Sequence, residues 1–127
     1  MLFFLNSHLE SESVDFLIDT GAATNVLSYD AYSLLSDQCR PKLDKASEEL
    51  RAADRGFLKI YGQTVIKLSL SGRVFKVPAI VADLRNLPGI LGMSFLRDEN
   101  CIIDLKHDVL QIGDIELIMR KHILVYF

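Results

Sequence analysis

Apolar residues along this chain come in short runs, and turn residues break nearly every run. Val14-Asp15-Phe16-Leu17-Ile18 predicts a buried strand that stops at Asp19-Thr20-Gly21. Asn25-Val26-Leu27 predicts an extended segment, and Ser28 then predicts an N-cap for a short helix over Tyr29–Leu35. Asp30 falls in the first turn of that helix, where the helix dipole favours a carboxylate. Residues 36–49 are the most polar stretch, contain Pro41 and read as a surface connection. Leu50–Ala53 and Phe57–Ile60 flank Asp54-Arg55-Gly56, which predicts a hairpin with a three-residue loop. Thr64–Leu70 and Val74–Val81 around Ser71-Gly72-Arg73 predict a second hairpin. There, Leu68 and Leu70 alternate with Lys67, Ser69 and Ser71, the period of a half-buried strand. Pro88-Gly89 interrupts the chain before Ile90-Leu91-Gly92. Met93–Glu99 predicts a two-turn helix with Phe95 and Leu96 inward and Arg97, Asp98 and Glu99 outward. Cys101–Leu105 and Val109–Ile112 predict short strands around Lys106-His107-Asp108, and residues 115–127 are again strand-rich. No repeat, low-complexity tract or linker interrupts the pattern, so residues 1–127 are expected to form one mainly β domain with one or two short helices.

Composition narrows the function. Half of the 127 residues are hydrophobic and 24% are charged, an ordinary globular balance. Fourteen basic against 17 acidic residues leave a net charge of −3, without the electrostatic footprint of a nucleic-acid binder. Cys39 and Cys101 are too few for a disulfide scaffold, and no Cys/His spacing matches a metal site. Met1–Leu5 is apolar but has no basic leader, and no apolar run approaches the ~18 residues that span a bilayer. The expectation is a soluble intracellular domain with reduced thiols, no metal, no cofactor, and neither nucleic acid nor membrane as partner.

The sharpest chemical feature is Phe16-Leu17-Ile18-Asp19-Thr20-Gly21-Ala22. A carboxylate directly after three apolar residues is costly to desolvate and needs donors close by. Thr20 offers a hydroxyl, and Gly21 lets backbone approach closely. The plain alternative is a strand ending in a turn, because Asp, Thr and Gly all favour turns. Rival sites are weaker. His8, His107 and His122 stand far apart in no motif, and the cysteines have no neighbouring His. Ser28 lacks a Gly-x-Ser-x-Gly setting, Gly62 and Gly72 are hairpin punctuation, and Arg120-Lys121-His122 reads as a solvated face.

Four stretches together, "FLIDTGAATNVLS", "LRAADRGFLKIYGQTVIKLSL", "AIVAD" and "ILGMSFLRDENCIIDLK", make the sequence resemble the retropepsins, the retroviral-type aspartic proteases. The likeness is greatest to proteases of gypsy-class long-terminal-repeat retrotransposons and runs from about Val14 to Gln111. It implies a small closed β-barrel-like fold with a flap hairpin, acting as a homodimer in polyprotein processing, in the cytoplasm or inside virus-like particles. Asp19 would be the catalytic aspartate, Thr20 would lock the two active-site loops together, and Gly21 would contact the substrate backbone. Ala22, Ile90 and Leu91 would bind substrate, with Val26 in the same apolar wall. Leu50–Ile60 would be the flap, so Ala53, Asp54, Arg55, Gly56 and Phe57 would also meet substrate. Ile90-Leu91-Gly92 would thread behind the catalytic loop. The flap tip lacks the several glycines of many retroviral enzymes. Ala23-Thr24 replace two acidic residues common there, and Met93 replaces a common Arg.

This chemistry needs two carboxylates within reach of one water, sharing one proton between them. The chain has one Asp-Thr-Gly, and Asp104-Leu105-Lys106 has neither the Gly nor the hydroxyl of a second copy. The second aspartate must then come from another molecule, which predicts a two-fold homodimer with the site on its axis. Met1–Leu5 and Ile123–Phe127 are candidate strands of the dimer sheet. The substrate would be an extended peptide or polyprotein segment with hydrophobic residues around the scissile bond. The alternative is a catalytically silent module of the same fold that dimerises and binds peptides without cutting them.

Overall fold

The computed structural model describes residues 2–47 and 59–122. The chain runs β1 (Leu2–Leu9), β2 (Glu12–Ile18), β3 (Val26–Ser28), α1 (Tyr29–Ser33), β4 (Ile60–Leu70) and β5 (Arg73–Ala82). It continues through β6 (Gly89–Leu91), α2 (Met93–Asp98), β7 (Ile102–Asp104), β8 (Val109–Ile112), β9 (Ile115–Ile118) and β10 (Arg120–His122). Six strands close on themselves in the order β1-β2-β6-β3-β5-β4, with His8 pairing Ser69 at the closure. A closed barrel leaves few bare strand edges. Strands β7, β8 and β9 form a separate antiparallel sheet.

The β4–β5 hairpin follows the alternation seen in the sequence. Thr64, Ile66, Leu68 and Leu70 are buried while Val65 and Lys67 are exposed. Its turn is a residue tighter than predicted. Leu70 pairs with Arg73, and Ser71 and Gly72 both take positive φ, 50° and 83°. Two successive left-handed residues match the twist of a two-residue hairpin.

Both short helices form. Ser28 caps α1, its Oγ accepting from the Ala31 N–H at 3.0 Å. The helix ends at Ser33, before the predicted Leu35. In α2, Phe95 and Leu96 point into the main core, and the ring of Phe95 meets Phe75 edge-on at 5.9 Å. Glu99, expected outside, is half-buried as the helix closes.

The N-terminal strand is longer than the expected Met1–Leu5. Leu2–Phe4 pair with Arg120–His122 of the same chain. The strand then runs on to Leu9 against β2. Its alternation was obscured because Ser7 is 1% exposed, its hydroxyl donating to the Val14 C=O at 2.8 Å. The other expected dimer strand, residues 123–127, lies outside the described residues, as does most of the predicted flap hairpin.

Candidate active site

Strand β2 enters the barrel wall with Phe16 fully buried and ends at Ile18. Beyond it Asp19 is half-buried, and Thr20 and Gly21 are exposed. The change follows from the sequence, since the apolar run ends where the carboxylate begins.

Three contacts hold the Asp19 loop. The Asp19 N–H donates to the Leu91 C=O at 3.0 Å, the Ala22 N–H to the Asp19 C=O at 3.2 Å, and the Gly21 N–H to Asp19 Oδ1 at 2.9 Å. The last bond aims the carboxylate and supplies a donor to its charged form. A Cβ on residue 21 would stand 3.2 Å from Asp19 Oδ1, so glycine keeps that approach uncrowded.

Behind the loop, β6 runs parallel to β2 and antiparallel to β3, with Ile18 opposite Leu91 and Val26 opposite Ile90. The chain from β6 into α2 threads beneath residues 22–24. The Met93 N–H donates to the Ala22 C=O at 2.8 Å and the Ser94 N–H to the Ala23 C=O at 3.0 Å. Gly92 is the point of closest approach. A Cβ there would lie 2.3 Å from the Thr24 carbonyl oxygen and 2.7 Å from that of Ala22.

One residue of this framework escaped the sequence reading. Asn25 is 1% exposed. Its Oδ1 accepts from the Gly92 N–H at 2.9 Å, and its Nδ2 donates to the Pro78 C=O at 2.9 Å. One amide thus ties the loop after Asp19 to β6 and β5 together. The available signal was a polar residue directly ahead of the buried pair Val26-Leu27.

The expected wall residues divide. Ala22, Val26 and Ile90 belong to one apolar cluster, with Leu17, Ile80 and Ala82, and Leu84 and Leu87 pack half-buried against it. Leu91 does not share that surface: it is 0% exposed in the main core. Successive strand residues face opposite sides, so Ile90 and Leu91 cannot both face the same groove. Leu91 serves the loop through its backbone carbonyl. Ala53, Asp54, Arg55, Gly56 and Phe57 lie outside the described residues. Beside the loop, Thr20–Ala23 and one side of α2, from Met93 to Asp98, border an open depression of about 440 Å³.

Among the described residues no group of three or more His, Cys, Asp or Glu is arranged to hold a metal ion, and no helix is long and apolar enough to cross a membrane. Asp104, the weak rival for a second catalytic carboxylate, closes a surface turn. It accepts from the N–H groups of Lys106 and His107 at 3.0 and 3.1 Å, and the His107 ring sits 2.8 Å from its Oδ2.

Residues 5–98, about three quarters of the chain, match the family described as "gag-polyprotein putative aspartyl protease". The chain belongs to this aspartyl protease family. Solved structures place the family's fold here as well. The retroviral protease-like domain of Ddi1 from Leishmania major is 18% identical, with a TM-score of 0.80 and 95% of each chain covered. A retropepsin-like aspartic protease from Rickettsia conorii is 26% identical, with a TM-score of 0.53 over 81% of this chain and 76% of that one. The EIAV protease in complex with the inhibitor HBY-793 is 23% identical, with a TM-score of 0.54 over 80% and 91%. The fold is therefore the retropepsin fold, a mainly β closed barrel with two short helices. In this chain, Asp19-Thr20-Gly21 carries a half-buried carboxylate at the start of an exposed loop.

Proposed function

We propose that the chain is a homodimeric aspartic endopeptidase in which each copy supplies one catalytic carboxylate. The observation that carries the reading is the Asp19 loop, a half-buried carboxylate aimed by the Gly21 N–H beside exposed Thr20 and Gly21. Two such loops meeting on a two-fold axis would bring the carboxylates together around one water. At that separation the pair keeps a single proton. The ionised member takes a proton from the water as it attacks the scissile carbonyl, and the protonated member polarises that carbonyl. The tetrahedral intermediate collapses as a proton passes to the leaving amine. Thr20 locks the loops to each other, and Gly21 lets substrate backbone pass close.

The substrate on this reading is an extended polypeptide with hydrophobic residues flanking the cut, matched to the apolar surface around Ala22, Leu84, Leu87 and Ile90. Residues 53–57 would cover it as part of a flap. A polyprotein of a retrotransposon, processed in the cytoplasm or in a virus-like particle, fits that preference. No metal or organic cofactor enters the chemistry.

The test is hydrolysis of a fluorogenic peptide with apolar residues on both sides of its central bond. Asp19→Asn keeps the side chain's size and its acceptor for Gly21 while removing the charge. It should reduce kcat by at least ~100-fold, the size of a lost acid–base group. Specific activity should also fall on dilution as dimers separate. Unchanged hydrolysis by Asp19→Asn overturns the proposal. A dimer that binds the peptide across pH 4–7 without cutting it establishes the silent module instead.

A further inference from the structure

At the end of β2 remote from Asp19, part of one barrel strand edge has no pairing strand among the described residues. Strand β4 is covered along one side by β5. On its other side, two backbone pairings are made among the described residues. The backbone N–H and C=O of Gln63 exchange bonds with Asp44 at 2.8 Å each, and Ser69 pairs with His8. Backbone groups alternate sides along a strand, so Val65 and Lys67 turn theirs to the same edge as Gln63. No described segment pairs with them there. The chain that began pairing at Asp44 departs toward Pro41, and a groove of about 530 Å³ opens between this edge and the 38–41 loop.

Two further features define what the groove accepts. Its floor is apolar, formed by Leu9, Leu35 and Ile66, and Val65 and Val74 stand 50% and 62% exposed at its rim. In addition, Lys67 lies directly opposite Lys76 across the hairpin. Like charges in that relation are destabilising, and among the described residues neither lysine has an ion-pair partner. The nearby acid, Glu10, is already engaged by the Ser36 hydroxyl at 3.3 Å.

We propose that this groove is a second peptide-docking site, which takes an extended segment by adding it antiparallel to the Val65–Lys67 edge. The backbone of the guest completes the four unpaired groups. In that register one guest side chain faces Lys67 and the residue two further on faces Val65, while the one between points to Leu9 and Leu35. The fitting guest is therefore acidic, then apolar, then apolar, read from its N-terminus. A carboxylate beside Lys67 also relieves the repulsion with Lys76. The site lies about 20 Å from Asp19, the length of a seven-residue strand, so a guest there leaves the Asp19 loop free.

The experiment uses the full chain carrying Asp19→Asn, so that cleavage does not intrude. A fluorescein-labelled, N-acetylated heptapeptide with Glu-Val-Val at its centre is titrated by fluorescence anisotropy. Saturable binding is expected. Val65→Asp and Lys67→Glu should each weaken it about tenfold, one lost contact's worth. A Lys-Val-Val peptide should bind weakly to the parent and recover on Lys67→Glu. The bound peptide should also shield Cys39, which lines the groove, from N-ethylmaleimide. Both substituted positions are exposed, and circular dichroism checks that the fold survives. No saturation up to about 1 mM, the weak limit of specific docking, overturns the proposal. So does binding indifferent to Val65→Asp and Lys67→Glu alike. A change of oligomeric state in peptide-free Val65→Asp overturns it too, because the groove is then an interface between copies.

Discussion

Gly92→Ala tests how tightly the framework behind Asp19 is built. The backbone at Gly92 has φ −97° and ψ −168°, which any residue can adopt, so the demand for glycine here is one of space. The added methyl would sit 2.3 Å from the Thr24 oxygen and 2.7 Å from the Ala22 oxygen, where ordinary contact begins near 3.4 Å. Both obstacles are main chain, so no side-chain rotation relieves them. Residues 22–24 must move about 1 Å away from α2, which stretches the Met93–Ala22 and Ser94–Ala23 hydrogen bonds. Overpacking costs about 1–3 kcal/mol and each weakened bond about 1 kcal/mol, for a total near 3–5 kcal/mol. That is within reach of a folded protein's whole stability margin of about 5–15 kcal/mol. For a chain of this size, Tm should fall by roughly 10–20 °C. If the chain is the proposed protease, a displacement of about 1 Å next to Asp19 should also reduce kcat/KM ~100-fold. Differential scanning fluorimetry and peptide hydrolysis read the two effects. Gly72→Ala is the control, since its Cβ meets nothing within 4 Å and only the positive φ of 83° is strained. It should lose about 1–2 kcal/mol and keep its activity. A Gly92→Ala variant as stable as the parent, or no less stable than Gly72→Ala, refutes the reasoning.

Three other outcomes follow from the same geometry. Asn25→Ala leaves the Gly92 N–H and the Pro78 C=O without their partner, at about 1–3 kcal/mol each, so Tm should drop by roughly 10 °C; a shift under about 2 °C contradicts the assigned role. The His107 ring and backbone hold the Asp104 carboxyl below its usual range, and the Asp104 hydrogen bond holds His107 above its own. The lowered acid contributes stability above the ordinary carboxylate value and loses it as pH falls through the folded value. The raised imidazole contributes below its ordinary value and loses it as pH rises through the folded one. The pair is therefore fully formed from about pH 4 to 6.5. A proton NMR titration should find His107 above a free imidazole and returned toward it by Asp104→Asn, and a normal His107 in the parent would be inconsistent with the pair. Burial, aided by Glu99, pushes the Cys101 thiol up to about 11, whereas Cys39 is exposed. A disulfide reagent at pH 8 should thus react quickly with the exposed thiol and much more slowly with Cys101, because only about a thousandth of Cys101 is thiolate. Two thiols reacting at one rate would contradict this.

What could be read from the sequence was whatever a local period or a local cap encodes. The β4–β5 hairpin, the Ser28 cap and the inward pair Phe95 and Leu96 all depend on residues within a turn or two of each other. The Asp19-Thr20-Gly21 loop was legible for another reason, because an unsupported carboxylate after an apolar run demands an explanation. The rest depends on partners far along the chain. The continuation of β1 from Asn6 to Leu9 escaped because Ser7 occupies an inward position and is satisfied by Val14, seven residues on. A polar residue in a core position breaks the pattern only for a reader who cannot see its acceptor. The burial of Leu91 in the main core was hidden for a related reason. A three-residue strand carries too little alternation to say which of its faces is the groove, and the answer comes from its neighbours, β2 and β3. Asn25 shows the limit most clearly. Read locally, an Asn before a strand is a turn former. In the fold its two amide bonds reach Pro78 and Gly92, 53 and 67 residues away, and join the three segments that meet behind Asp19. The Asp19-Thr20-Gly21 loop announces itself in sequence because its signal is local, and the scaffold that aims it does not, because aiming is a matter of distant backbone meeting in one place.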